Sequence, residues 1–582
     1  MKNAFYIATL IIALMLAANS TAQEVNIEVL PLDEASKDKI ARLNYRSKAA
    51  NKADAIRELH KVLEYFYEKG YLAASFDSLV EDSANLKGYI YVGEIFNMTI
   101  IRRGNVPEEV LRQSGYKEKL YRDRAYSPAG IRKLYTKIIT YCENNGYPFA
   151  MVKLDSISLG NANTITASLN LTKNQRVSID SVMVKGSSRI HPKFIRNYFN
   201  IKKGDFYNES RIRKIAARLQ DLPFVTEVRP HEVVFIDNEA KLILYLDKKR
   251  ASQFDGILGI APNDDVDGKL LLTGDIKLKL LNAFNRGELI DFNWRKLEAQ
   301  SQDLKFHFNF PFLFNTPFGI DYKLHLYKKD TSYLNLSNKL GIQVLFNGYN
   351  HVMAFYENQM SNLLSTEGLE FATTLPEYAD INTSLYGLGM DFSRLNYRYN
   401  PRKGFRFELM GAIGSKKIKK NANVNQELYD SIPLSSTLYS LQLDAAGFIP
   451  LFRNSALMVR NQSGFLENEN LFENELFRIG GLKTLRGFDE ESLTASIYTI
   501  LTLEFRYLFD LNSYFNIFFD GAYYEQNTNS GYFNDTPYGI GAGVNFETRA
   551  GIFSLSYAMG SRDGQPLQFK AAKVHFGLTA RF

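Results

Sequence analysis

The chain contains one cysteine, Cys142, in 582 residues, so no disulfide can close within it and its stability rests on core packing and backbone ladders. It contains one tryptophan against 35 tyrosines and 42 phenylalanines. Beyond the first twenty-odd residues no apolar run reaches the ~20 residues that a spanning helix needs. If the chain crosses a membrane it must therefore do so with strands closed into a barrel, because only helices and barrels satisfy every backbone group in hydrocarbon. Charge is nearly balanced, with 70 Lys and Arg against 63 Asp and Glu. No basic stripe is concentrated enough for nucleic acid, while affinity for anionic lipid headgroups stays open. Chemistry-bearing motifs are also lacking. There is no Gly-x-Ser-x-Gly elbow. His60, His191, His231, His307, His325, His351 and His575 show no His-Glu-x-x-His spacing. Nucleotide-binding motifs are missing, so we expect no enzyme activity, no cofactor and no metal.

What is present begins with a leader. Lys2, the apolar stretch Phe5 to Ala18 and the small residues Ser20-Thr21-Ala22 read as a signal peptide over residues 1–22. A degenerate repeat follows. Glu68-Lys69-Gly70-Tyr71-Leu72 is echoed by Asn144-Asn145-Gly146-Tyr147-Pro148 and more weakly by Asp221-Leu222-Pro223-Phe224-Val225, a period of about 75 residues. Each echo follows an amphipathic helical stripe: Ile56, Leu59, Leu63 and Phe66, then Ile131, Leu134, Ile138 and Cys142, then Ile212, Ile215 and Leu219. Strands follow at Leu86 to Val92, Thr164 to Leu171 and Leu242 to Leu246. The order strand, helices, strand, strand implies three small α+β layers over residues 23–95, 96–174 and 175–249. An apolar helical position makes Cys142 a buried structural thiol.

From residue 250 the helical period vanishes and a period of two takes over. The closing segment Lys573 to Phe582 alternates without error. Leu501, Leu503, Phe505 and Tyr507 alternate with Thr502, Glu504 and Arg506, and similar stretches run through Ile276 to Leu280, Ile290 to Trp294 and Phe405 to Leu409. Polar and charged residues in such strands suit a wet lumen, not lipid. Sixteen candidate strands fit between residues 251 and 582, joined by short connections such as 451–453, 510–512 and 548–549 and long ones such as 362–382, 415–436, 466–496 and 526–536. The expected architecture is α+β repeats followed by a transmembrane antiparallel β-barrel of sixteen strands over residues 250–582.

The longest late loop carries Arg478-Ile479-Gly480-Gly481 and then Leu485-Arg486-Gly487-Phe488. Here the chain resembles the BamA/TamA family of outer-membrane proteins, part of the assembly and translocation superfamily that also holds the two-partner secretion transporters. The resemblance implies N-terminal POTRA domains, a sixteen-stranded surface-antigen-type barrel, and a sixth external loop that folds into the lumen through Arg486, Gly487 and Phe488, with Gly480 and Gly481 upstream. An arginine drawn into a lumen needs acidic partners. Alternation puts Glu504 and Asp520 on the lumen side of neighbouring strands, and the segments around them look like the family's loop-anchoring carboxylates. One departure is visible: the glycine expected two places after Asp520 is Ala522, with Gly521 beside it. Gly539, Gly541 and Gly543 form a same-face glycine row that would leave room for a tucked loop.

The resemblance also implies a seam between the first and last strands. Gly256, Gly259 and Pro262 in the first and Gly577 and the terminal Phe582 in the last are the candidate seam residues. The expected function is insertion, assembly or translocation at the bacterial outer membrane, with the repeats in the periplasm receiving unfolded outer-membrane or secreted client proteins. The repeats would also meet periplasmic or lipoprotein partners. The alternatives are a two-partner-type secretion channel and a passive porin or lipid-export channel.

Overall fold

The computed structural model describes residues 24–580 except 83, 123, 162, 263–269, 297–300, 347, 398–399, 549–550, 564, 568 and 570–571. The expected leader, 1–22, and the terminal Phe582 lie outside the described residues. The chain divides into two compact units, one of residues 1–178 with 206–210, the other of residues 179–205 with 211–582.

The first unit holds two layers of one design. In each, two parallel strands form the centre of a four-stranded sheet: Val25–Pro31 beside Asn85–Tyr91, and Asn97–Arg102 beside Thr164–Thr172. A two-residue strand closes one side of each sheet, Lys48–Ala49 or Arg124–Ala125. The longer edge strands Ser75–Asp82 and Met151–Gly160 close the other. Helix α1, Lys52–Glu68, starts where the Asn51 side chain accepts the Asp54 N–H, and α2, Pro128–Asn144, where Ser127 accepts the Gly130 N–H. The buried stripe of α2 is Ile131, Leu134, Ile138 and Cys142. That of α1 is turned slightly from the expected one: Ala55, Leu59, Val62 and Phe66 are buried, while Ile56 and Leu63 pack at its margin. Small Ala55 lets the helix approach Ile27, Val29 and Ile90 of the sheet, which the larger side chains on either side would not. The sequence echoes have a backbone cause, since Gly70 and Gly146 both follow a helix end at positive φ, 94° and 92°, where a side chain would be strained.

The second unit begins with a third layer, a sheet of order Val225–Ile236, Glu239–Lys248, Ser178–Lys185. The single helix expected through Ile212, Ile215 and Leu219 is split into Glu209–Ile212 and Ile215–Gln220, although all three residues are buried. A further helix, α3, Pro192–Phe199, buries Phe194, Ile195, Tyr198 and Phe199. No such helix is expected from the sequence, because eight residues give the period only two turns to register.

One antiparallel sheet fills the rest. Its strands are β1 Gln253–Pro262, β2 Leu270–Leu281, β3 Leu289–Lys296, β4 Gln302–Phe310, β5 Phe318–Lys329, β6 Tyr333–Leu345, β7 His351–Leu363 and β8 Asp380–Leu395. It continues with β9 Gly404–Lys419, β10 Ser435–Pro450, β11 Ser455–Glu467, β12 Ile497–Asp510, β13 Ser513–Thr528, β14 Tyr538–Glu547, β15 Gly551–Ser561 and β16 Lys573–Ala580. Neighbours in sequence are neighbours in the sheet throughout. Among the described residues the sheet has seventeen members, one more than expected. The additional one, Gly531–Asp535, extends the β13 ladder inside the 526–536 loop. Ladders also run beyond their expected ends elsewhere, as where β8 and β9 stay paired to Asp380 and Lys419. Hairpin pairing satisfies backbone groups that open loops would leave to water.

The strands present two chemically distinct faces. In β12, Leu501, Leu503, Phe505 and Tyr507 are exposed, while Ile500, Thr502 and Glu504 are buried. In β13, Phe515, Ile517 and Phe519 are exposed and Phe518 and Asp520 buried. Phenylalanines outside and carboxylates inside invert a soluble protein and suit a barrel in lipid. Among the described residues no helix is long and apolar enough to cross a membrane. Strands β1 and β16 run side by side, but no ladder joins them among the described residues. Pro262 has no N–H to give such a ladder, and Gly256 and Gly259 weaken the strand that carries it.

Candidate functional site

The loop between β11 and β12 is the centre of the second unit. It carries a small hairpin, Phe477–Ile479 paired with Leu493–Ala495. Gly480 and Gly481 turn the chain out of the first of these strands at positive φ. Leu485 is fully buried against Ile479, Leu493 and Ile500, with Phe488 packed at the margin of the same cluster. At Gly487, φ is 96° and the backbone lies against that of Gly560 in β15, so any Cβ there would be both strained and crowded.

Arg486 emerges from this hairpin into a cradle of charge. Its Nε donates to Asp520 Oδ2 and its Nη2 to Asp520 Oδ1, both at 2.7 Å. Nη1 donates to Glu504 Oε2 at 2.6 Å, and the Arg486 backbone N–H donates to Asp520 Oδ2 at 3.1 Å. The Asp520 contact is the bidentate fork that fits guanidinium to carboxylate. The guanidinium also lies 3.4 Å from the centre of the Phe518 ring. Strand register explains the convergence. Thr502 pairs with Asp520 and Glu504 with Phe518, so Glu504 and Asp520 are diagonal neighbours on one sheet face. Both carboxylates are buried, with Asp520 wholly inaccessible.

Two carboxylates would leave a single arginine one charge short. The deficit is made up by Arg506, whose Nε donates to Glu504 Oε1 at 2.7 Å. The buried cluster is therefore a neutral quartet, which is what a low-dielectric site requires. Arg486, Glu504 and Asp520 are the residues expected from the sequence; Arg506 is not among them. The signal was available: Arg506 is two residues from Glu504 in a strand, hence on the same face.

The glycine row is not uniform. A Cβ on Gly539 would overlap the Arg486 carbonyl oxygen, so this glycine faces the loop directly. A Cβ on Gly541 would meet the Phe518 ring and the Tyr557 carbonyl, and one on Gly543 would meet Asn516 Oδ1 at 2.6 Å. The last two therefore make room for wall side chains and for the neighbouring strand, not for the loop. Of the seam candidates, Gly256 pairs with Ile276, Gly259 with Thr273 and Gly577 with Ser554, each within an ordinary ladder.

The loop reaches most of the sheet. Glu491 lies 3.4 Å from Lys305 of β4, and the Arg478 guanidinium stacks 3.4 Å over Tyr327 of β5. The Asn474 carbonyl accepts from Asn335 of β6, and the Asn474 side chain donates to Ser361 of β7. Buried Lys416 of β9 donates to Glu475 and to the Asn470 carbonyl. Arg460 of β11 donates to the Lys483 carbonyl, and Asp489 pairs with Lys573 of β16 at 2.8 Å. One segment can touch strands from β4 to β16 only if the sheet curls around it. The loop is thus an inner pillar, and the face it touches is the inner face.

The chain is similar to known proteins in sequence and in fold. The Omp85 superfamily domain matches residues 282–582, and the surface antigen variable number repeat, a POTRA family, matches residues 177–249. The structure is similar to that of CdiB from Escherichia coli, at 13% identity and a TM-score of 0.52, over 90% of this chain and 97% of that one. It is similar to CdiB from Acinetobacter baumannii at 12% identity and a TM-score of 0.50, again over 90% and 97% of the two chains. BamA from Haemophilus ducreyi lacking POTRA domains 1–3 aligns over 84% of this chain and 100% of that one, at 13% identity and a TM-score of 0.44. No curated protein matches the sequence.

Proposed function

The chain belongs to the Omp85 superfamily, and from that premise we propose that it inserts or translocates other proteins at the bacterial outer membrane, as the BamA and TamA insertases do. In this reading the three α+β layers are POTRA domains that hang in the periplasm and receive unfolded clients. Their long edge strands, Ser75–Asp82 and Met151–Gly160, lie at sheet margins and pair with a strand on one side only among the described residues, so that an extended segment can be added as a further strand. The sheet is a lipid-embedded barrel, and the β1–β16 boundary is the place where it opens sideways to template a client strand.

The observation that carries the reading is the contrast between two parts of one sheet. From β2 to β15 every strand is laddered on both sides, and the inner loop is pinned to them by buried ion pairs. At the β1–β16 boundary no ladder is present among the described residues. A barrel weakest at one line opens along that line. A passive porin is disfavoured by the same inner loop, which occupies the space that conduction needs.

The test is a disulfide across the boundary. With Cys142 replaced by serine, cysteine pairs scanned along β1 and β16 should include pairs that lock the seam under oxidation. Assembly of outer-membrane or secreted clients in cells depending on such a variant should fall on oxidation and return on reduction. Undiminished assembly with the seam locked rules the mechanism out. Large ion conductance that persists after deletion of residues 466–496 would favour the porin.

A further inference from the structure

Outside the inner-loop site, the end of the sheet that meets the third α+β layer carries an unexplained groove of about 300 Å³. Helix α3 forms one side, and the turns between β2 and β3 and between β4 and β5 form the other. The walls are fixed by specific contacts. The His191 N–H donates to the Asn285 carbonyl at 2.8 Å, and Asn197 Nδ2 donates to Asn315 Oδ1 at 3.2 Å. Phe194 meets Phe312 edge-on at 5.6 Å between ring centres and fills the space left by Gly287.

Two features of this groove are not needed for packing. Lys193 and Arg286 line it, with Arg196 close to the same imidazole, that of His191. Among the described residues none of these three cations makes an ion pair, and the nearby carboxylate of Glu288 is fully buried and committed to the backbone N–H groups of Phe284 and Arg286. The second feature is Phe314, at the rim. It is 87% exposed. Its φ is 51°, with Phe312 at 55° and Asn315 at 64° beside it. Holding non-glycine residues left-handed costs free energy, and here the result is one aromatic turned inward onto α3 and the next turned out. Phe318, the first residue of β5, continues the apolar surface on the sheet's exposed face.

We propose that this groove binds the phosphate headgroup of an anionic phospholipid in the leaflet on that side, with Phe314 seated among its acyl chains. Lys193 and Arg286 supply charge-assisted hydrogen bonds to the phosphate. The strand–turn junction sets their height at the membrane surface, and the exposed aromatic belongs where headgroups give way to hydrocarbon. The bound lipid would tie the third layer to the leaflet and so hold it close under the sheet. This rests on the barrel being lipid-embedded but not on its inserting clients, and the test reads only lipid.

The full chain is placed in nanodiscs of phosphatidylcholine with a minor fraction of phosphatidylglycerol, extracted into detergent, and examined for retained lipid by native mass spectrometry. Wild type should retain phosphatidylglycerol over phosphatidylcholine. Removing two basic groups at about fivefold each, the double variant Lys193→Gln/Arg286→Gln should lower that retention by roughly twenty-five-fold. Phe314→Ser should lower it as well, while Lys193→Arg should keep it. Heat-modifiable mobility identifies variants that have folded, and all the substituted side chains are exposed. Equal retention by wild type and the folded double variant overturns the proposal. Displacement of the lipid by millimolar inorganic phosphate, with Phe314→Ser indistinguishable from wild type, also overturns it and assigns the groove to a soluble phosphate.

Discussion

Gly539 of β14 lies directly beneath the carbonyl oxygen of Arg486, so close that a Cβ at this position would occupy the oxygen's place. The wall is therefore bare where the loop leans on it, and the neighbouring glycines serve other contacts. Gly539→Val should displace the Arg486 backbone and with it the loop, because both groups that would have to move are main chain. Overpacking of this kind costs about 1–3 kcal/mol. Gly543→Ala should be milder for the loop, since a Cβ there meets the side-chain ends of Asn516 and Ser556 and the Leu555 carbonyl oxygen at 2.9 Å, whereas at Gly539 it would meet the loop's own main chain at 1.9 Å. Protease cleavage within 482–490 reads the difference: Gly539→Val should cut readily and Gly543→Ala should resemble wild type.

Arg486→Ala should destabilise the second unit by about 3–5 kcal/mol, the usual cost of leaving a buried charge without its partner. Asp520, wholly buried, would lose its guanidinium, whereas Glu504 would keep Arg506. Adding Asp520→Ala to Arg486→Ala should recover part of the loss by removing the orphaned charge. The loop would stay unseated in both variants. Heat-modifiable mobility across a temperature series gives the stability order, and client assembly should fail in both. Full assembly by the double variant would show that the loop anchor has no functional role.

His191 makes the third layer acid-sensitive. Its Nδ1 accepts the Lys193 N–H at 3.1 Å and so caps α3. Burial, then the charges of Arg286, Lys193 and Arg196, hold the imidazole pKa below its ordinary value. With the folded-state value depressed, the unfolded chain takes up the proton first. The stability contribution is complete above the ordinary histidine value of about 6.5 and declines as pH falls from there through the folded value. The protection factors of α3 amides, the observed exchange measured against the intrinsic rate at the same pH, should therefore fall on acidification in wild type. His191→Asn, a capping residue that does not titrate, should abolish that dependence.

Cys142 reports on the second layer alone. The thiol is buried on the sheet side of α2, and burial raises its pKa. A maleimide should therefore label the native chain far more slowly than the unfolded one, since only the thiolate reacts. With no other cysteine in the chain, the labelling rate measures opening of residues 96–174 without further engineering. Rapid native labelling would show that α2 does not stay docked.

The residues themselves made much of this legible. Strict alternation revealed the strands because lipid and lumen impose opposite chemistry on successive side chains. Leu501, Leu503 and Phe505 could face only one way once Glu504 faced the other. The pairing of Arg486 with Glu504 and Asp520 was readable because a buried guanidinium requires carboxylates and the period of two says which are on its side. Other features lay beyond local pattern. Lys416 reads as an exposed loop lysine until the long β8–β9 hairpin carries it under Asn470 and Glu475.

Composition, period and charge logic thus determined by themselves that this chain has strands with an oily side and a wet side, preceded by small layered repeats. Each of those properties is local and is repeated many times along the chain. Only the tertiary structure decided that one loop spans the interior from Lys305 to Lys573, that Arg506 completes the buried quartet, and that α3 docks beneath two turns through Phe194. Those depend on distances between residues far apart in the chain, which hydrophobic period does not encode and which only the curvature of the folded sheet sets.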